Sequence, residues 1–365
     1  MTVPYVDLVE HNRALRPRIL EAVDRVLCHG QFINGPEVTQ LEQSLATRLG
    51  VADVVGVSSG TSALTLAMRA IGIGPGDEVI TVAHSYVATA SAIALVGATP
   101  VFVDVEPTTG LIDPDHVSRA LSSRSKAIVP VHLGGVPCFM RPLETLCEKH
   151  GLHLIEDCAQ AIGSKHRDRS VGSFGTGCFS MHPLKSFSAC GDAGFITTND
   201  VEQGALLRRL RSIGHRDRDH VDALGENARL DTLQAAILLA KLPHLDDWIA
   251  ARRHHATAYA NGLGDSFELT AVTESSEPAY STFVIRLDGR DDLIAHLTTH
   301  GFDAKVHYPV PIHRQPAFAH LAAPSLPETE RLVSRIVSLP VTPELCSEDR
   351  DRLIELLSDW RHSHA

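Results

Sequence analysis

Apolar residues recur three and four apart over residues 15–28 (Leu15, Ile19, Val23, Val26, Leu27), a spacing that predicts a helix with one buried face. Gly30 is placed to stop it, and Asn34-Gly35-Pro36 opens a second helix over residues 36–49, with proline tolerated in the first turn. The pattern then changes. Residues 54–57, 79–82, 100–105, 127–131 and 152–155 are short apolar runs rich in β-branched side chains, each separated from the next by about one helix length. Runs of that kind predict strands buried on both faces of a mostly parallel sheet. Residues 177–181 form another strand-like run, which Pro183 brings to an end by removing a backbone donor and turning His182 away from helix. The first two thirds of the chain therefore reads as α/β in three layers.

A long helical stretch over residues 229–261 contains Pro243, so a break near Leu242 is expected. Beyond it the pattern predicts strands over 280–287 and 306–308 and helices over 291–300, 328–337 and 347–360. Few strands with helices to one side read as a smaller α+β unit, which divides the chain into domains at 1–245 and 246–365.

A chain of 365 residues with 44% hydrophobic and 21% charged residues is long enough for two domains with a sizeable core. The net charge of -11 argues against a nucleic-acid groove or an anionic membrane as partner, since both need basic patches. Seven cysteines form no Cys-x-x-Cys pair and are odd in number, which points to free thiols and a cytoplasmic location. The opening residues carry an acid and no apolar core, so no signal peptide is expected, and no apolar run is long enough for a bilayer. The 21 histidines show no His-Glu-x-x-His pairing, and no metal site is expected.

Four stretches carry candidate chemistry. Ser58-Ser59-Gly60-Thr61-Ser62 joins a strand to a helix, where unsatisfied N–H groups at the positive helix end suit a phosphate; an ordinary helix cap is the alternative. Tyr86 follows the strand at 79–82, placed either to cover a flat ring or to pack in the core. Glu156-Asp157-Cys158-Ala159-Gln160 ends the strand at 152–155, at the sheet edge where open α/β sheets bind ligands. Asp157 there would pair with a heterocyclic cation or else cap the next helix. Lys185, just past a strand end, becomes a nucleophile for carbonyl carbon if partly desolvated. Phosphate site, aromatic, acid and lysine, taken with Gln160 and Ser180, are what pyridoxal phosphate needs.

The chain resembles the DegT/DnrJ/EryC1/StrS family of pyridoxal-phosphate aminotransferases. The likeness runs through Gln31-Phe-Ile-Asn-Gly-Pro-Glu-Val, Ser59-Gly-Thr-Ser-Ala-Leu, Gly76-Asp-Glu-Val-Ile, Asp157-Cys-Ala-Gln-Ala, the lysine stretch, Gly225-Glu-Asn-Ala-Arg-Leu-Asp-Thr-Leu-Gln and Val306-His-Tyr-Pro-Val-Pro-Ile-His. The resemblance implies a fold type I transferase and a homodimer with shared active sites. It makes Lys185 the covalent holder of pyridoxal 5'-phosphate, Asp157 the partner of the ring nitrogen and Gln160 that of the phenolic oxygen. Gly60, Thr61, Ser62 and Ser180 would hold the phosphate and Tyr86 would stack on the ring. Asn227, with Arg229, would reach the phosphate side from the partner subunit. His215, His307, Tyr308 and His313 are candidate substrate contacts.

The implied reaction takes an amino group from L-glutamate or L-glutamine to a keto sugar linked to a nucleotide. A keto-cyclitol acceptor and a non-catalytic sensor that merely binds the cofactor are the alternatives. Where relatives often carry Asn after the lysine this chain has Ser186, and Phe187-Ser188-Ala189-Cys190 replaces a Gly-rich aromatic stretch. Relatives with His in place of the lysine carry out dehydrations, so Lys185 points to transamination.

Overall fold

The computed structural model of the protein describes residues 2–272, 275–321 and 325–364. Its main sheet has seven strands in the order Asp53–Val57, Gly194–Thr198, Thr176–Ser180, His153–Asp157, Ser125–Val129, Glu78–Val82, Thr99–Val103. Gly194–Thr198 runs antiparallel to both its neighbours, and the other pairings of the sheet are parallel. The crossover helices cover both faces, and the strand residues alternate between them. Val55, Val79, Val129, Ile155 and Ile196 pack with the Gly60–Ala70 and Val201–Leu210 helices. Ile80, Ile128 and Leu154 face the Met140–His150 helix, and Val54, Phe179 and Phe195 face the Pro36–Leu49 helix. Each fully buried Val, Ile or Leu contributes about 1.5–3 kcal/mol, so these two apolar seams hold the three layers together.

The predicted helices at 15–28 and 36–49 are Arg16–His29 and Pro36–Leu49. Gly30 ends the first with φ 71 and returns its N–H to the Val26 carbonyl. Pro243 breaks the long helical stretch as expected, giving Thr232–Lys241, a 3-10 turn at Leu242–His244, and Leu245–Leu263.

A second, antiparallel sheet of Glu268–Leu269, Phe283–Arg286 and Ile336–Leu339 packs with the Leu245–Leu263, Arg290–Thr299 and Ser347–Ser363 helices around Tyr259, Leu297 and Leu357. Val3 joins this cluster and bridges Phe302, so the start of the chain folds against its end.

Two expectations are corrected and one strand is added. Residues 306–308 form no strand, and this segment pairs with the small sheet only through a bridge from Lys305 to Ser338. The helix expected over 328–337 is Pro327–Val333, followed by the strand Ile336–Leu339. Val333, Ile336, Val337 and Leu339 fit either period, and pairing with Phe283–Arg286 decides for strand. The strand Gly194–Thr198 was not anticipated: it follows a glycine-rich turn without helical spacing and is defined by its two neighbours.

Candidate active site

The parallel strands all end at one edge, and the candidate residues gather there. Asp157 lies opposite Cys178 in register, with Ser180 two residues further along the same strand. Gly60 lies against Ser180: a Cβ at position 60 would stand 2.8 Å from the Ser180 Cβ, so only glycine lets the helix mouth approach this strand. Ser59 caps the helix by accepting from the Ser62 N–H at 3.0 Å, and its carbonyl accepts from Ala63. The N–H groups of Gly60 and Thr61 are left outside the helical ladder, beside the Ser62 hydroxyl, which is 3.0 Å from that of Ser58. This cradle of donors at a positive helix end fits a phosphate group.

Asp157 is buried. Thr89 donates to its Oδ2 at 2.7 Å and the Ala159 N–H to its Oδ1 at 3.1 Å, and no ion pair is recorded for it among the described residues. Burial pushes its carboxyl above the ordinary range, while those two donors and the charge of Lys185 pull it back. Its neighbour Glu156 fixes the strand end from behind, accepting from the N–H groups of Gly172, Phe174 and Gly175 and pairing with His132 at 3.2 Å. A carboxylate so placed, with no cation in contact, fits a protonated ring nitrogen.

Lys185 sits in a tight turn, its N–H bonded to the His182 carbonyl at 2.8 Å, and Phe187, fully buried, anchors the segment in the core. Its side chain is half-buried. Burial lowers its amine and the Asp157 charge raises it, with the net shift downward, toward the free amine a carbonyl requires.

Lys185 opens into a cleft of about 620 Å³ that Tyr86, Gln160, Arg252, His307 and Tyr308 also line. The Gln160 amide is fixed at both ends, donating to the Tyr308 hydroxyl at 3.0 Å and accepting from the Gly134 N–H at 2.7 Å. The Tyr86 and Tyr308 rings lie 5.6 Å apart at the mouth. His307 bonds Ser338 at 3.0 Å, and burial with the charges of Lys185 and Lys305 lowers its ring to about 4.

His84 connects the strand edge to this segment, with ring nitrogens 3.4 Å from the Gly110 carbonyl and 3.2 Å from the His307 carbonyl. Burial lowers its pKa from 6.5 to about 4. The unfolded ring takes a proton near 6.5 and the folded one only near 4, so stability present above pH 6.5 is lost as pH falls toward 4. The expected loss approaches about 1.4 kcal/mol per pH unit for this one ring. Urea midpoints at pH 7 and pH 5 should differ, and His84→Gln should shrink the difference; an unchanged difference in the variant rules His84 out as its source.

The structure does not bring every candidate together. His215 lies on an exposed loop and pairs with Val221, and His313 is buried against Glu330 at 3.1 Å; neither lines the cleft. In the single chain one faces solvent and the other is held by Glu330. Asn227 is exposed and Arg229 bridges Val57, also outside the cleft lining.

Thr89 and Arg252 were not anticipated. Thr89 is a buried hydroxyl in the mostly apolar helix Ala88–Leu95, which also carries Ser91. Arg252 occupies the buried face of Leu245–Leu263, in series with Leu245, Ile249, Ala256, Tyr259 and Leu263. A charge on an apolar stripe is a signal readable from spacing alone.

Residues 13–358 match the DegT/DnrJ/EryC1/StrS aminotransferase family. A UDP-N-acetyl-3-dehydro-alpha-D-glucosamine 3-aminotransferase from Acidithiobacillus ferrooxidans is 42% identical over 362 residues, covering 99% of this chain and 98% of that protein. A pleiotropic regulatory protein from Geobacillus stearothermophilus is 40% identical over 370 residues, covering 99% and 100%. Among solved structures, that of Streptomyces venezuelae DesV in complex with a ketimine intermediate superposes with a TM-score of 0.97 at 39% identity, covering 99% of this chain and 98% of that one. Seven free cysteines and the absence, among the described residues, of any helix long and apolar enough to cross a membrane complete the description.

Proposed function

Because the chain belongs to the DegT/DnrJ/EryC1/StrS aminotransferase family, we propose that it moves an amino group from L-glutamate or L-glutamine to the keto group of a nucleotide-linked sugar. Its cofactor is pyridoxal phosphate. The observation that carries the reading is a half-buried lysine whose charge acts on a buried aspartate that forms no ion pair among the described residues, both at one sheet edge. When bound, the cofactor supplies an aldehyde for the lysine and a ring that takes up electrons from the carbon bearing the transferred amine.

Every other task falls to the chain. Lys185 would hold the cofactor's aldehyde carbon through its free amine and, once freed, would take up and return the proton at the donor α-carbon. Asp157, steadied by Thr89, holds a proton on the ring nitrogen. Gly60, Thr61, Ser62 and Ser180 bind the phosphate, Gln160 faces the phenolic oxygen, and Tyr86 covers the ring. His307 and Tyr308 shape the acceptor side of the cleft and keep water from it.

The working unit is a homodimer. The apolar side chains of Leu20, Leu27, Phe32 and Ile33, exposed in the single chain, support a second copy covering them, and Asn227 and Arg229 of each chain then serve the other's phosphate side. The cofactor-binding domain is assigned to residues 1–245 and the small domain to 246–365; the seven-stranded sheet and the sheet of Glu268–Leu269, Phe283–Arg286 and Ile336–Leu339 support the division, while a third small sheet pairs Ser276–Glu277 with Lys165–His166 across it.

Likeness to the Acidithiobacillus 3-aminotransferase supports carbon 3 of a nucleoside-diphosphate sugar as the site of amination. Loaded enzyme incubated with ¹⁵N-glutamate and 3-keto sugars linked to UDP or dTDP is expected to release ¹⁵N-amino sugar. Label appearing only in a keto-cyclitol would replace the sugar reading. Label in no acceptor would favour a regulatory role, the reading suggested by the name of the Geobacillus relative.

A further inference from the structure

We propose that Arg252 receives a carboxylate of the amino donor, an inference that rests on the aminotransferase reading and extends it to donor recognition. Arg252 lines the same cleft as Lys185 and is only 6% exposed. A buried guanidinium is normally paired. This one is not: no carboxylate lies within ion-pair distance of it among the described residues. Its Nη1 makes two long contacts, each 3.4 Å, to the carbonyls of Tyr280 and Ser281. Its Nε, buried, has no hydrogen-bond partner. The nearest acid that acts on it, Glu344, is engaged by His11. Burial lowers the guanidinium to about 10, which still leaves it charged at neutral pH.

A guanidinium with one edge tied to main chain and the other edge free offers two parallel N–H donors, the geometry that a carboxylate accepts bidentately. The other cation of the small-domain wall, Lys305, already pairs with Asp303 at 2.6 Å and is half exposed. Apart from Lys185, Arg252 is therefore the lysine or arginine of the cleft lining without a carboxylate partner among the described residues. Its depth favours a small planar anion over a diphosphate, whose bulk and hydration suit the cleft mouth. The placement is also fixed: Leu245, Ile249, Ala256 and Tyr259 share the buried helix face, and Arg252 lines the cleft that Lys185 also lines. Tyr5, whose phenol is buried on the same wall and raised by that burial, adds no negative charge.

The test separates the two half-reactions in the loaded enzyme. Stopped-flow absorbance follows conversion of the lysine-linked cofactor by L-glutamate, and a second experiment starts from the aminated cofactor and the keto acceptor. In Arg252→Gln the apparent Kd for L-glutamate is expected to rise on the order of 10- to 100-fold, with the acceptor half-reaction within about twofold of the parent. Arg252→Lys, which keeps the charge and loses the fork, should fall between.

Of L-glutamine and L-isoglutamine, each amidated at one end, the one that lacks the carboxylate Arg252 binds should be weakened in the parent enzyme and no further in Arg252→Gln. Unchanged glutamate affinity in Arg252→Gln overturns the proposal. So does an equal loss in both half-reactions, which makes Arg252 a strut of the cleft wall, or a loss confined to the acceptor half, which assigns it to the diphosphate. If the parent enzyme takes amino groups from no amino acid at all, the aminotransferase reading fails instead, a distinct result.

Discussion

Lys185→Ala is expected to lower amino transfer by at least about 10⁴-fold and to remove the visible absorbance of lysine-linked cofactor. Two functions vanish with one amine. The nucleophile that holds the cofactor is gone, and so is the base that removes the donor α-proton, a contribution of about 10²–10⁴ by itself. No other amine can substitute: Lys241 is fully buried and donates to the Ser188 carbonyl at 2.9 Å, and Lys305 is tied to Asp303. The fold should survive, because Phe187 and the His182 carbonyl hold the turn without the lysine side chain. Absorbance spectra and multiple-turnover rates on the purified variant check this, and a variant with parental turnover refutes the assignment of Lys185.

Asp157→Asn is expected to lower the rate of amino transfer by about 10²–10³-fold while leaving the chain folded. The amide matches the carboxylate in size and can still accept from Thr89 or Ala159, so packing is retained. What it loses is charge. A neutral group cannot hold a protonated ring nitrogen in a buried place, and electrons leaving the donor α-carbon then lack their sink. The burial that raises the Asp157 carboxyl in the single chain is the same burial that makes a cation there worth so much. Single-turnover rates with L-glutamate measure the effect. Parental rates would remove Asp157 from the chemistry, and lost cofactor binding with an unchanged single-turnover rate would restrict it to anchoring.

The helices Arg16–His29 and Pro36–Leu49 and the break at Leu242–His244 were legible because their signals are local: apolar spacing, a left-handed glycine stop, prolines at fixed offsets. Six strands of the main sheet, Asp53–Val57, Glu78–Val82, Thr99–Val103, Ser125–Val129, His153–Asp157 and Thr176–Ser180, were legible because burial on both faces leaves them mostly apolar. Gly194–Thr198 was not, since an antiparallel strand is specified by the neighbours it pairs with and not by its own spacing. Ile336–Leu339 was lost for a related reason, its apolar residues fitting helix and strand alike.

Lys185, Asp157, Gln160 and the Gly60 loop could be named from the chain alone, because each stands at the junction where a strand gives way to a loop or helix, and such junctions in a parallel sheet share one edge. What only tertiary structure decided is which groups meet across the cleft. Thr89 on Asp157, Tyr308 on Gln160 and Arg252 in the cleft that Lys185 lines come from segments 68, 148 and 67 residues apart in sequence. It also leaves His215 and His313 outside the cleft lining of the single chain. Local sequence sets what a residue can do chemically; the burial and partners that decide whether it does so are properties of the packed chain.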